Sequence, residues 1–384
     1  MASTVLGKLS VEHFLARNWQ REPVVIRGAF PNLEDPLTPD ELAGLACEPG
    51  VDSRLVIERG GSKPWQVIRG PQSPRVLRKL GSTHWTLLVE SIDRHSRAIA
   101  DLASAFGFLP RWRMDDVMVS LAPLHGTVDA HIDSYDVFLI QGQGRRRWEV
   151  DRRAAADYKP GLDLRILKRF RAEDSWVLEP GDMLYVPPGV GHRGVTVPGN
   201  AEIALTYSIG FRAPSVADLL STLLTRALAR DPELFSDAGR KTAKDPGEIT
   251  SADMRSLRRF LVSELQSQDS DEWLLAMGEA VTAGGVAGGR STRAAGSAVR
   301  RRLADGSSVC VNPGARLAWT PLTKGRAALF INGESRVFSR TEAFAAGFLC
   351  GNSSPSAARR VAAKEPLLSL LADLLRAGVI AWRS

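Results

Sequence analysis

His131, Ile132 and Asp133 form an H-x-D pair in a chain of 384 residues that holds only six histidines. In an extended segment, residues two apart project from the same face, so an imidazole nitrogen and a carboxylate oxygen can grip one metal ion. His192 lies 59 residues beyond Asp133, after a turn-strand-turn run, Glu179-Pro180-Gly181-Asp182 through Pro187-Pro188-Gly189. Two histidines and one carboxylate make a facial set that leaves coordination positions open, the arrangement used by non-haem Fe(II) oxygenases. His125 competes as a ligand from the preceding loop, whereas His13, His84 and His95 fall in helix-like patterns and read as ordinary packing or surface residues. Cys47, Cys310 and Cys350 form no CxxC pair and suggest neither a disulfide framework nor a thiolate metal site.

These groups need a rigid scaffold. From Asp116 to about Phe211, short β-branched or alternating runs (Asp116–Leu121, Asp136–Gln141, Arg145–Val150, Asp182–Val186, Glu202–Ile209) are separated by Gly, Pro and Asp turns. Short, evenly spaced strands predict a β-barrel or double-sheet sandwich. Ahead of it, Ser10 caps a short helix, Pro23-Val24-Val25-Ile26 reads as a strand, and His84 to Arg94 carries Trp85, Leu88 and Ile92 at helical spacing. After Pro214, Val216, Leu219, Leu220, Leu223 and Leu224 form one apolar stripe and Leu257, Phe260, Leu261 and Leu265 another, either core-facing or a dimerisation surface. A Gly/Ala/Ser-rich linker over 282–298 precedes a hairpin at Asn332-Gly333, helices near Glu342–Phe348 and Pro366–Arg376, and a strand at Val379–Trp382, the layout of a small winged-helix-like module. Hydrophobic residues at 44%, charged residues at 24% and no long apolar run predict a soluble, cytosolic protein that does not span a membrane. The net charge of +7 favours work beside nucleic acid or a ribonucleoprotein.

The strings WRMDDVMVSLAP (112–123), HIDSYDVFLIQGQGRRRW (131–148), LEPGDMLYVPPGVGH (178–192) and YSIGFRAPS (207–215) closely resemble the bacterial JmjC-domain ribosomal oxygenases, the cupin-superfamily arginine hydroxylases. Residues 11–30 and 40–56 look similar to the same family. The resemblance implies a mainly β protein with α: a double-stranded β-helix (jelly-roll, cupin-type) JmjC domain over 1–213, a helical dimerisation region over 214–285, and a C-terminal winged-helix domain over 286–384. It also implies Fe(II), 2-oxoglutarate and O2, and hydroxylation of an arginine β-carbon in large-subunit ribosomal protein sixteen by a homodimer, with possible contact to rRNA. The chain departs from the pattern at Leu124–Asp129, where relatives carry a glycine-rich run; that loop is expected to border the substrate entrance.

Strand alternation sorts the remaining candidates. Arg146 shares a face with Trp148, while Arg145 and Arg147 point the other way, so Arg146 is expected to hold the distal carboxylate of 2-oxoglutarate, with Ser120 beside it. Asp116, Met118 and Ser120 alternate with Val117, Val119 and Leu121, which look like core. Asp116, with Asp115 as the alternative, is expected to anchor the substrate side chain, with Met118, Tyr135 and Ser208 completing the pocket. The alternatives are a histidyl hydroxylase, a non-catalytic ribosome- or RNA-binding factor, and a cupin metalloenzyme acting on a small molecule.

Overall fold

The computed structural model describes residues 5–60, 64–199, 201–228, 234–239, 247–267, 270–287, 296–351 and 354–383. It divides into two compact units, Met1–Ala213 and Pro214–Ser384. In the first, helices α1 (Val11–Arg17), α2 (Pro39–Leu45), α3 (Pro74–Leu77) and α4 (Arg97–Ser104) accompany twelve strands. In chain order these are β1 (Val24–Ile26), β2 (Ser53–Glu58), β3 (Trp65–Arg69), β4 (Trp85–Val89), β5 (Met114–Pro123), β6 (His131–Ile132), β7 (Asp136–Gln141), β8 (Arg145–Asp151), β9 (Asp174–Leu178), β10 (Met183–Val186), β11 (Gly191–Val197) and β12 (Ile203–Phe211).

Eight of them form one sheet in the order β1-β10-β7-β12-β5-β4-β2-β3, and four form a second, β6-β11-β8-β9. Every pairing is antiparallel. This is the expected jelly-roll arrangement of two antiparallel sheets. Alternation gives the central strands two different faces. Val117, Val119 and Leu121 of β5, Phe138 and Ile140 of β7, and Leu205, Tyr207 and Ile209 of β12 join Phe14 of α1 in the larger core. Val137, Leu139, Leu184 and Val186 pack instead with Trp148, Val150 and Leu178 of the second sheet. The inter-sheet space is apolar there, but along β5 and β12 it is lined by the polar Ser120, Thr206 and Ser208, all buried. Polar groups in such a place need partners or a ligand, because leaving them bare in a core is costly.

Ser10 does cap α1, accepting a hydrogen bond from the His13 backbone N–H. The helix expected across His84–Arg94 is not there. Trp85–Val89 is strand β4, inserted between β2 and β5, and only Ile92–Arg94 coils, as a single 3-10 turn. Thr86, Leu87, Leu88 and Val89 are all buried, so burial on both faces overrides the apparent 3.6-residue period.

The second unit begins with α5 (Val216–Leu228), α6 (Ser251–Ser267) and α7 (Ser270–Thr282). Arg226 and Glu279 join α5 to α7 by a two-pronged ion pair, at 2.6 and 2.9 Å. Of the two predicted stripes, Leu223 is buried, but Val216, Leu220, Leu224, Leu257 and Leu261 are exposed. Residues 288–295 of the predicted linker lie outside the described residues. Then follow α8 (Gly296–Ala304), β13 (Val309–Val311), β14 (Leu317–Pro321), β15 (Ala327–Ile331), β16 (Glu334–Phe338), α9 (Phe344–Leu349), α10 (Pro355–Ala362), α11 (Glu365–Arg376) and β17 (Ile380–Trp382). The β15–β16 hairpin turns at Asn332-Gly333, both at positive φ, as a type I′ turn requires. A separate core gathers Val299 and Leu303 of α8 with seven residues of α11, among them Leu371 and Leu375. Among the described residues no helix is long and apolar enough to cross a membrane.

Candidate metal centre and substrate pocket

His131 and His192 are direct cross-strand partners in the β6–β11 pairing, and their ring centroids lie 4.3 Å apart. Asp133 falls just beyond the end of β6 rather than within a strand, and its carbonyl accepts from the Gly189 N–H at 2.9 Å. The turn that precedes β11 therefore also places the carboxylate, with Asp133 Oδ2 3.5 Å from His192 Nε2. One ligand atom from each of the three residues falls within 4.8 Å of the others, the one such His/Cys/Asp/Glu cluster among the described residues. His125 is not part of it; its ring stands 5.1 Å from that of His84.

The donors suit a metal. His131 Nδ1 lies 3.0 Å from the Asp129 carbonyl and His192 Nδ1 3.2 Å from the Val190 carbonyl. A carbonyl can only accept, so each Nδ1 carries the proton and each Nε2 presents its lone pair. Burial, reinforced by the neighbouring His131, pulls His192 down to about 4, which keeps it neutral at pH 7.

Arg146 enters the same space from β8. It is buried, whereas Arg145 pairs with Glu179 and Arg147 is exposed. Its Nη1 donates to Ser120 Oγ at 2.9 Å and Thr206 Oγ1 at 3.5 Å, its Nη2 to the Gly194 carbonyl at 3.4 Å, and its guanidinium stands 5.1 Å from the Trp148 ring centre. Its Nε is buried without a hydrogen-bond partner, and among the described residues no carboxylate lies within ion-pair distance of this arginine. Burial pulls Arg146 down to about 10, so it remains a cation at pH 7. A desolvated cation surrounded by neutral partners fits an anionic ligand, and the planar fork of guanidinium matches a carboxylate.

On the neighbouring stretch of β5, Asp116 Oδ2 accepts from the backbone N–H and the hydroxyl of Ser91 at 3.1 and 3.3 Å. Burial, with Asp115 close by, pushes its carboxyl up to about 6. Burial, then the charges of Asp133 and Asp116, push the Tyr135 phenol up, so it stays protonated. Met118 and Ser208 are cross-strand partners, as are Ser120 and Thr206. Asp115 lies 3.7 Å from Arg212 instead.

Residues 101–219 match the JmjC domain family. The chain is 40% identical over 264 residues to the Escherichia coli ribosomal protein uL16 3-hydroxylase, covering 68% of this chain and 69% of that one. The chain belongs to the JmjC ribosomal oxygenases. A probable ribosomal oxygenase of Haemophilus influenzae is 31% identical over 279 residues, covering 69% and 67% of the two chains. The E. coli ribosomal oxygenase YcfD, solved in complex with cobalt and 2-oxoglutarate, superposes with a TM-score of 0.80 at 32% identity, over 98% of this chain and 99% of that one.

Three contributors in this JmjC site escaped the sequence reading. The Asp129 carbonyl orients His131 from within the atypical Leu124–Asp129 loop, and a backbone acceptor leaves no residue-type signal. Ser91 holds Asp116 from a left-handed backbone conformation, φ 54°. Gly194 lets Arg146 and Trp148 pack side by side: a Cβ there would meet the indole at 2.7 Å and Arg146 Nε at 2.8 Å. An isolated glycine inside a strand was the available signal for that last role.

Proposed function

We propose that this JmjC oxygenase uses Fe(II), O2 and 2-oxoglutarate to hydroxylate the β-carbon of an arginine in a large-subunit ribosomal protein, the uL16 class named for its E. coli relative. The buried, acid-free Arg146 carries the reading, because the β8–β11 register sets it on the same sheet face as His192 and so pairs a carboxylate-binding cation with the His131/Asp133/His192 cluster. Iron with 2-oxoglutarate and O2, when bound, supplies an oxidant strong enough for an unactivated C–H bond, yielding succinate and CO2. His131, Asp133 and His192 hold the metal, and Arg146 with Ser120 holds the distal carboxylate of the co-substrate.

The protein then has to present one C–H bond. Asp116 accepts the substrate guanidinium, with one oxygen already fixed by Ser91. Tyr135 and Ser208 add hydrogen bonds, and Met118 packs against the aliphatic stem. Fixing the far end of the side chain is what converts encounter into oriented attack. Lysine suits the site less well, since its ammonium lacks a planar fork. The test is to incubate enzyme with matched peptides carrying Arg, Lys or His and to look for a one-oxygen mass gain. Modification of the Arg peptide supports the assignment; modification of the His peptide alone replaces it with histidine hydroxylation.

The same reading covers the chain's surroundings. The exposed apolar residues of α5 and α6 are the surface that a second copy of the chain covers, making the helical segment 214–285 a pairing region and 286–384 a winged-helix-like module. Work on a ribosomal protein also places the enzyme in the cytoplasm.

A further inference from the structure

We propose that the C-terminal segment carries a binding face for single-stranded RNA, built on Trp319, Arg336, Phe344, Arg359 and Arg360. Residues 286–384 contain 15 Lys and Arg against 5 Asp and Glu, whereas the preceding 285 residues contain 35 against 38, so the basic character of the chain resides here. Some of these cations are internally neutralised: Arg300 pairs with Glu365, Arg326 with Asp271 and Arg376 with Asp373. Arg336 and Arg359 are exposed, and among the described residues neither meets a carboxylate at ion-pair distance.

Flat π surfaces are interleaved with those charges. Phe344 and Gly347 lie one turn apart on α9, outside the buried row of Ala345, Ala346, Phe348 and Leu349. The Arg360 guanidinium lies 3.7 Å from the centre of the Phe344 ring. Gly347 lies beside the Trp319 indole, which a Cβ there would meet at an ordinary contact distance of 3.6 Å, and Trp319 is 45% exposed. The register Trp319–Leu329–Arg336 across β14, β15 and β16 sets Arg336 on the same face as Trp319. A guanidinium-aromatic pair, a half-exposed indole and exposed arginines in the same compact segment suit bases that stack and phosphates that pair. An acidic protein partner would satisfy the charges but has no use for the half-exposed indole. The choice of RNA over DNA rests on the ribosomal substrate proposed above.

The test uses the full chain and fluorescence anisotropy with a fluorescein-labelled 12-nucleotide oligouridylate, an equal-length oligodeoxythymidylate, and polyglutamate as competitor. With about three phosphate contacts, affinity for RNA should fall roughly twentyfold between 50 and 200 mM salt. Trp319→Ala and the pair Arg336→Ala/Arg359→Ala should each weaken binding about fivefold or more. Arg153→Ala, at a side chain 91% exposed in the first unit, should leave it unchanged. No binding at 50 mM salt, indifference to both the tryptophan and the arginine substitutions, or equal displacement by polyglutamate would overturn the proposal; tighter binding of the DNA would overturn the choice of RNA. Hydroxylation of a free peptide, assayed separately, should be unaffected in these variants. RNA binding by a wild-type protein that modifies no peptide would refute the proposed reaction while leaving the RNA face intact.

Discussion

Arg146 Nη1 and Ser120 Oγ, 2.9 Å apart, form a hydrogen bond between β8 of the four-stranded sheet and β5 of the eight-stranded one. The serine supplies an acceptor but no charge, so the arginine is aimed without being neutralised.

Arg146→Ala should therefore raise the KM for 2-oxoglutarate by roughly one to two decades, since a charge-assisted two-pronged contact contributes about 1.5 to 3 kcal/mol. Arg145→Ala and Arg147→Ala should change it little. Succinate release at varied co-substrate checks both; a larger effect at Arg145 or Arg147 would mean that the distal carboxylate is held from the other face of β8.

Gly194→Ala should reproduce part of that defect without touching a polar group. The added methyl meets Trp148 and Arg146 at under 3 Å, and overpacking of this kind costs about 1 to 3 kcal/mol. Thermal unfolding should show a lowered Tm, and the 2-oxoglutarate KM should rise. A normal KM with normal Tm would show that Arg146 tolerates displacement.

At the metal centre, His131→Ala, Asp133→Ala and His192→Ala should each abolish turnover, because a three-ligand site has no spare donor. Both histidines lie on strand pairs whose cores do not involve them, so circular dichroism should remain folded. Loss of Co(II) or Mn(II) binding by calorimetry separates ligand loss from a catalytic fault.

Asp116 makes a pH-dependent prediction. Its folded carboxyl titrates near 6 instead of 3.8, so below pH 6 it turns neutral and loses its hold on a guanidinium. Peptide KM should rise as pH falls from 7 to 5, while the peptide-independent conversion of 2-oxoglutarate serves as the internal control at each pH. In Asp116→Asn the peptide KM should be high and flat. Because a raised folded value means that ionisation costs the fold stability, a cost absent below about pH 4 and complete above about pH 6, this variant should keep or gain Tm at pH 7.

Leu224→Glu should leave α5 folded, since the side chain is 59% exposed, yet shift the protein to a monomer by analytical ultracentrifugation if a second copy covers that face.

Residue type and spacing alone brought out the three metal-binding candidates, a β-barrel or double-sheet sandwich, and the split of the three arginines. Each follows from local rules: two-residue alternation in strands, scarce histidines, and glycine and proline at turns. Other features required the assembled fold. Trp85–Val89 reads as a helix until its burial between β2 and β5 is seen, because short apolar runs carry either period. That His125 stays out of the cluster was decided by pairing register, which sets His131 opposite His192 while the loop ahead turns back toward His84. The supporting groups, the Asp129 carbonyl, Ser91 and Gly194, come from distant segments and act through backbone position or the absence of a side chain. Such roles depend on three-dimensional proximity, which the one-dimensional pattern does not encode.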